Sequence, residues 1–214
     1  MSCNDETKHL IAAIPSVARW RFDSVPRHLT VQEIDGFLRA FDRHSANGRR
    51  DYAMARCLLD MGLRAGEVAT IQLEDLDWRE GTLTIRHSKS RRADILPLPV
   101  ATGRAIVEYL NGARPPSDSR ALFIRHRAPH GVPMTTKLIS HAIRRAFGRS
   151  GLGCCAGTHV LRHTAAVRMR HAGASLKEIA DVLRHRNLDT TMIYSKVDLP
   201  QLATVAAPWP GGLS

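Results

Sequence analysis

A few residues in this sequence have the types and the spacing needed for chemistry on a phosphodiester. In the segment HVLRH the first histidine and the arginine are three residues apart, which places them on one face of a helix. In LRHRNLDTTMIY a tyrosine follows a histidine by nine residues, and another arginine lies far upstream in MGLRAGE. These residues are Arg64, His159, Arg162, His185 and Tyr194. Two arginines that bind a phosphodiester and a phenol oxygen that attacks it would account for this set.

The proposed attack requires a specific chemical property of each residue type. A tyrosine phenol has a pKa of about 10, so it needs help to attack at neutral pH. Two guanidiniums bind the non-bridging oxygens, where negative charge builds up, in a fork geometry that a lysine ammonium cannot reproduce. The leaving 5′ oxygen needs a proton, which a lysine on a hairpin or a histidine could supply. Because arginines supply the positive charge, the reaction requires no metal and no other cofactor.

Each of these residues also has a structural interpretation. A lone tyrosine on a helix usually lies in a core or an interface, and Arg162 could form a structural ion pair. His159 and His163 are four residues apart, as zinc ligands can be, but Val160 stands where the metalloprotease pattern requires glutamate. We therefore predict no metal site. The combination of residues, in this order and at this spacing, favours catalysis over structure.

Local sequence patterns predict the elements that would position these residues. Thr30-Val-Gln-Glu33 is a capping box that begins a helix, which we expect Asn47-Gly48 to end. Further helices are predicted from about Arg50 to Met61, Leu63 to Leu73, Val100 to Asn111, after a Thr135 cap, from a Thr158 cap to Gly173, and after a Ser175 capping box. Strands are predicted at 82–86, 93–98 and 121–124. The fold class is α+β and mostly α-helical, with a small antiparallel β-hairpin.

Two basic surfaces accompany these elements. The loop HSKSRR joins the two hairpin strands, and its shape would allow it to reach into a groove of nucleic acid. The helix after Thr135 exposes a row of basic side chains that could lie on DNA phosphates. A solvated turn and the solvated side of an amphipathic helix are the alternatives. The DNA-binding candidates are Arg91, Arg92, Lys137, Arg144 and Arg145.

The composition favours a polyanionic partner. The formal net charge is +11 and the pI about 10.4, which points most simply to nucleic acid, although the basic residues are spread along the chain. Aromatic residues make up only 5%, too few for a single-strand stacking platform. Cys3, Cys57, Cys154 and Cys155 match no zinc or disulfide spacing, which predicts a reducing compartment.

The start of the chain, MSCNDETKHL, carries charge where a signal peptide would have its apolar run. No apolar run approaches the roughly 18 residues of a membrane span. We therefore expect a soluble cytoplasmic protein with no membrane partner.

Four blocks, in this order, resemble the catalytic domain of the tyrosine recombinase (phage integrase) family: MGLRAGEV, HSKSRRADILPLP, THVLRHTAA and LRHRNLDTTMIY. The resemblance covers about residues 27–198 and implies the tyrosine recombinase catalytic-domain fold. It implies that Tyr194 is the nucleophile, which forms a 3′-phosphotyrosyl bond to DNA, and that Lys89 is the general acid. The implied catalytic set is Arg64, Lys89, His159, Arg162, His185 and Tyr194, with Glu67 and His163 in support.

One departure from the family pattern lies next to the predicted site. Arg184 stands where the family usually has the glycine of an LGH motif. That position often requires space or an unusual backbone conformation.

The resemblance also implies a domain organisation and an assembly. Residues 1–26 would be a linker or the remnant of an N-terminal DNA-clamp domain, residues 27–198 the catalytic domain, and residues 199–214 a C-terminal tail. The family implies a homotetramer on double-stranded DNA in which this tail, with Val197 to Ala207 as its candidate helix, docks on a neighbour.

The expected function is that of a site-specific DNA recombinase or integrase. Such an enzyme cleaves and rejoins strands through a 3′-phosphotyrosyl intermediate without metal or ATP. One alternative is a truncated, catalytically silent DNA-binding or accessory remnant of a mobile-element integrase. A type IB topoisomerase uses a similar set of residues, but the chain is short for the usual encircling enzyme. A covalent bond between Tyr194 and DNA would separate the recombinase from the silent remnant.

Overall fold

A computed structural model of the chain describes residues 26–86, 93–153, 157–184, 189–192 and 194. Its helices are α1 (Val31–Arg39), α2 (Ala46–Asp60), α3 (Ala65–Thr70), α4 (Val100–Gly112), α5 (Thr136–Arg149), α6 (Thr158–His171), α7 (Leu176–Leu183) and α8 (Asp189–Met192). Three antiparallel strands form a sheet in sequence order: β1 (Leu76–Asp77), β2 (Thr82–Arg86) and β3 (Ala93–Pro97). The prediction of a mostly helical α+β fold with a small antiparallel sheet is confirmed.

Helix α2 lies at the centre of the main core. Met54, Leu58 and Leu59 are completely buried on it, and the helix packs against α4, α5 and α6. Burying side chains of this size contributes about 1.5–3 kcal/mol each. The Phe37 ring of α1 lies 4.6 Å, between centroids, from the Phe147 ring of α5, which closes the core on a second side.

A second, smaller cluster of buried residues joins α6, α7 and the segment after α7. It consists of Ala166, Val167, Ile179, Leu183 and Tyr194. Gly173 permits the turn out of α6 with a φ of +92°, and the Ser175–Glu178 capping box then begins α7 as predicted. The tyrosine that the sequence singles out is therefore part of a core.

The short strand predicted at 121–124 is wrong. Ala121 and Ile124 each form one isolated bridge, with Gln72 and Pro133 respectively, and among the described residues no continuous strand pairs with this segment. The Thr158 cap is also wrong, because Gly157 is the N-cap residue of α6 and Thr158 is the first helical residue. The Thr30 capping box and the Thr135 cap are confirmed.

The role predicted for Asn47-Gly48 is wrong as well. This pair lies in the first turn of α2, which Ser45 caps by accepting a hydrogen bond from the Gly48 N–H. A Cβ atom at Gly48 would lie 1.8 Å from the backbone oxygen of Asp42. Glycine is needed here because the preceding loop passes close to the helix, and α1 has already ended at Arg39.

Candidate active site

Arg64 lies at the turn between α2 and α3. Its backbone N–H donates to Glu67 Oε2 at 2.7 Å, and its Nη1 donates to Glu67 Oε1 at 2.9 Å. The glutamate thus caps the helix and holds the guanidinium at the same time. The Arg64 side chain remains 46% exposed, so it is accessible to a phosphate.

Arg162 on α6 is buried, with 7% of its surface exposed. Its Nη1 donates to the Gly62 carbonyl at 2.5 Å, and its Nη2 donates to the Leu183 carbonyl. Burial lowers the pKa of Arg162 to about 10, and the positive charge of Arg64 adds to that effect. The guanidinium is still charged at neutral pH, and it ties α6 to the turn before α3 and to the end of α7.

Arg184, directly after α7, brings a third guanidinium to the same place. Its Nε and Nη2 donate to the two carboxylate oxygens of Glu67, at 3.2 and 2.7 Å. Burial by itself would raise the pKa of Glu67, but the hydrogen bonds and charges of Arg184 and Arg64 lower it below its usual range. Glu67 is therefore an anion shared by two arginines.

Tyr194 is the candidate nucleophile and is 1% exposed. Its hydroxyl oxygen lies 2.6 Å from Nδ1 of His163. Burial raises the pKa of Tyr194 to about 12, against the opposing effect of the Arg162 charge. Burial also lowers the pKa of His163, to which the charges of His159 and Arg162 contribute. A pKa below 6.5 leaves the imidazole mostly neutral at pH 7, and in the tautomer with its hydrogen on Nε2 it can accept the phenol hydrogen at Nδ1.

The structure brings several of the predicted site residues into one connected set. Arg64 and Arg162 are held by the same turns, the Arg162 charge acts on Tyr194, and Glu67 and His163 contact Arg64 and Tyr194 respectively. His159 lies three residues before Arg162 on α6 but is exposed where Arg162 is buried. The remaining predicted residues, Lys89, Arg91, Arg92 and His185, lie outside the described residues.

Sequence reasoning missed part of this site. It assigned no role to Arg184 or to the carbonyl groups of Gly62 and Leu183, and it paired Tyr194 with His185 in sequence without foreseeing the contact with His163. The departure from glycine at Arg184 was the available signal. The unusual backbone expected at that position is confirmed, since Arg184 has a φ of 55°.

Helix α5, which carries the predicted row of basic side chains, begins next to α3. A Cβ atom at Gly66 in α3 would lie 3.7 Å from Oγ1 of Thr136, the first residue of α5. Lys137, Arg144 and Arg145 are exposed, as predicted. Arg145 also faces Asp51 at 4.0 Å across a cleft of about 640 Å³ that Lys137 helps to line.

Within the described ranges, no group of three or more histidine, cysteine, aspartate or glutamate side chains is placed to hold a metal ion. No helix in the part of the chain that the structure describes combines the length and the apolar character needed to cross a membrane.

Solved structures define the class to which this fold belongs, the catalytic domains of tyrosine recombinases. The crystal structure of the XerA recombinase matches with a TM-score of 0.74 at 26% sequence identity, over 86% of this chain and 66% of that chain. The Tn1549 transposon integrase, solved in complex with a circular intermediate DNA, matches with a TM-score of 0.69 over 84% of this chain and 67% of that chain. It is 19% identical and so supports the fold alone.

Sequence comparison identifies the family. The Phage integrase family profile matches residues 27–199. A protein of Sinorhizobium fredii, y4rA, which carries a provisional integrase/recombinase name, is 43% identical over 208 residues. That match covers 97% of this chain but about half of y4rA, 50% of its length. The chain belongs to the phage integrase family.

Proposed function

We propose that this protein is a site-specific DNA recombinase or integrase that cleaves and rejoins strands through a 3′-phosphotyrosyl intermediate. The observation that carries the proposal is the connected set of Arg64, Arg162 and Tyr194. It joins a half-exposed guanidinium, a buried guanidinium and a phenol whose hydroxyl already contacts a neutral imidazole. These are the groups that an attack on a phosphodiester requires.

The chemical step can be written with these groups. The Tyr194 oxygen bonds to phosphorus, its proton passes to His163 Nδ1, and the bond from phosphorus to the 5′ oxygen breaks. Lys89 is proposed to give that oxygen its proton, and His159 and His185 to donate to the phosphate. A 5′ hydroxyl then reverses the reaction, so the phosphotyrosyl bond conserves the energy that a ligase would take from ATP.

The raised pKa shows why the phenol needs these partners. With a pKa of about 12, removing its proton at pH 7 costs about 7 kcal/mol. A phosphate bound between two guanidiniums would stabilise the negative charge, and removing one such partner typically costs about 10²–10³ in rate. Because Tyr194 is 1% exposed, its attack would also require the phenol to become accessible when DNA binds.

Double-stranded DNA is the proposed partner. The net charge of +11 and the exposed basic side chains of α5, whose first residue lies next to α3, support it. The solved Tn1549 integrase is described in complex with DNA. We place the phosphate contacts on Lys137, Arg144 and Arg145, and on Arg91 and Arg92 of the hairpin loop.

The domain organisation and the assembly are also proposals. We assign residues 27–198 to the catalytic domain, residues 1–26 to a linker or clamp remnant, and residues 199–214 to a tail that docks on a neighbouring subunit in a homotetramer. A cytoplasmic location would follow from a DNA substrate.

Covalent trapping tests the function. The protein is mixed with a nicked suicide duplex drawn from DNA that flanks the gene, and intact mass is measured for an increase equal to the retained fragment. The expected result is an adduct that the Tyr194→Phe variant does not form, although the variant binds the same duplex in a gel shift. Tyr52→Phe is the matched control, because the Tyr52 ring packs against Phe41 and Arg43, and it should form the adduct at the wild-type rate.

The burial of Tyr194 favours a second candidate, the catalytically silent DNA-binding remnant. Binding without any adduct would support that candidate against the recombinase. The absence of both binding and adduct, on duplexes that tile the flanking DNA, would contradict both.

A further inference from the structure

Arg184 has a backbone conformation that its residue type does not favour. Its φ and ψ are 55° and 49°, in the left-handed region, and it is the one non-glycine residue with positive φ in the described part of the chain. Glycine adopts this conformation at lower cost because it has no Cβ atom. A role confined to ending α7 would therefore be better served by glycine, so the side chain must offset the strain.

The Arg184 guanidinium is almost fully enclosed and fully engaged. Its side chain is 6% exposed. In addition to the two hydrogen bonds to Glu67, its Nη1 donates to the Val182 carbonyl at 2.7 Å. Such a paired, two-point contact with a carboxylate fixes orientation as well as charge.

The main chain at this position contacts both candidate phosphate-binding arginines. The Arg184 carbonyl accepts from Nη2 of Arg64 at 3.2 Å, and the preceding Leu183 carbonyl accepts from Nη2 of Arg162. Two consecutive carbonyl groups thus hold Arg64 and Arg162, and the left-handed turn determines the direction in which each carbonyl points.

We propose that Arg184 is a positioning residue for Arg64 and Arg162. It donates to both oxygens of the Glu67 carboxylate, so this single anion is shared by two guanidiniums and does not neutralise Arg64 alone. The half-exposed guanidinium of Arg64 then keeps positive charge for a DNA phosphate. Arg184 itself is enclosed and does not reach the DNA. The inference rests on the proposed recombinase function and adds to it a residue whose action passes through Glu67.

The test compares Arg184→Gly, Arg184→Lys and the wild type in the suicide-duplex reaction. Arg184→Gly removes the guanidinium and its hydrogen bonds but also relieves the backbone strain, so the two effects on stability oppose each other, and the melting temperature of the variant is measured beside each rate. Its adduct should form about 10- to 100-fold more slowly, since small displacements of positioned groups have effects of this size. Arg184→Lys keeps the charge without the fork and should be intermediate. Binding of the duplex in a gel shift should change less than twofold.

Chemical rescue and a double variant separate positioning from a structural role. Millimolar guanidinium chloride, well below denaturing concentrations, should restore part of the Arg184→Gly rate. Because Arg184 acts through Glu67, Glu67→Gln with Arg184→Gly should be no slower than Glu67→Gln alone. Arg43→Ala is the matched control, since Arg43 also contacts both oxygens of one glutamate, Glu108, at 2.7 and 2.6 Å. It should react at the wild-type rate, with no response to guanidinium.

Wild-type rates in Arg184→Gly would overturn the inference while leaving the recombinase standing. A loss of adduct rate that is proportional to the loss of folded protein, without rescue by guanidinium, would also overturn the inference. If the wild type forms no adduct, the result contradicts the proposed function itself. Urea midpoints of the two single variants and the double variant still test the contact, because strictly additive losses would mean that Glu67 and Arg184 do not interact.

Discussion

The contact between His163 and Tyr194 determines how the reaction would depend on pH. Burial lowers the pKa of His163 below its ordinary 6.5, so the imidazole accepts the phenol proton throughout the neutral range and loses this capacity only at lower pH. His163→Gln lacks the titrating group. We expect the ratio of wild-type to variant adduct rates to be about 10² at pH 7.5 and to shrink as the pH is lowered from 7.5 to values below the lowered pKa of His163. A ratio that is constant across this range would exclude His163 as the proton acceptor.

The same histidine makes a prediction about stability. Its folded-state pKa is lowered, so below about pH 6.5 the unfolded chain binds more protons than the folded one, and stability falls as the pH falls. The free energy of unfolding of His163→Gln should therefore decrease less between pH 7 and pH 5 than that of the wild type. Urea titrations at each pH measure this difference. His171→Gln, at an exposed position of the same helix, controls for the general effect of removing a histidine.

At the level of single residues, the sequence identifies the reacting groups but not their contacts. Arg64, Arg162 and Tyr194 follow from residue type and spacing. The bond from Arg162 to the Gly62 carbonyl joins residues 100 positions apart, and the bond from Arg184 to Glu67 spans 117. Contacts at such separations depend on how α3, α6 and α7 pack, which no local pattern specifies.

The elements of the fold follow the sequence best where a capping box marks a helix start. The Thr30 and Ser175 capping boxes each place a side-chain acceptor three residues before a backbone N–H, so these helix starts could be predicted. The conformation at 121–124 and the position of Gly48 inside α2 could not be predicted from the sequence. Each depends on backbone that approaches from elsewhere, the bridges to Gln72 and Pro133 in one case and the Asp42 carbonyl in the other.

The turn between α2 and α3 allows a sharp test of how one element positions another. Gly62 has a φ of +61°, and a Cβ atom there would lie 2.4 Å from Cδ2 of Leu183. Gly62→Ala combines backbone strain with overpacking against α7, and we expect it to lower the free energy of unfolding by roughly 2–4 kcal/mol. It should also slow adduct formation, because the Gly62 carbonyl holds Arg162.

Gly81→Ala is the matched control for that experiment. Gly81 has a φ of +63°, but nothing lies within 4 Å of the added Cβ position. Its free energy of unfolding should fall only by the cost of backbone strain, about 1 kcal/mol, and its adduct rate should not change. Equal losses from the two variants, measured by urea unfolding, would mean that the α2–α3 turn and Leu183 do not pack closely.

For the molecule as a whole, the location of the positive charge on the surface matters as well as its amount. Many exposed arginines are already paired with carboxylates, such as Arg43 with Glu108 and Arg120 with Glu74. Lys137 and Arg144 are exposed on α5, the helix whose first residue lies next to α3. A DNA duplex that places one phosphate between Arg64 and Arg162 would extend along this face.

The salt dependence of DNA binding tests that path. Each phosphate contact contributes about 0.9 to the slope of log affinity against log salt concentration, because it releases a counterion. Lys137→Ala with Arg144→Ala should therefore reduce the slope by about 2. Arg43→Ala with Arg120→Ala removes the same charge from paired positions and should leave the slope nearly unchanged, although both double variants lower the formal net charge from +11 to +9. Equal slopes in the two variants would mean that overall charge, and not the basic face of α5, holds the DNA.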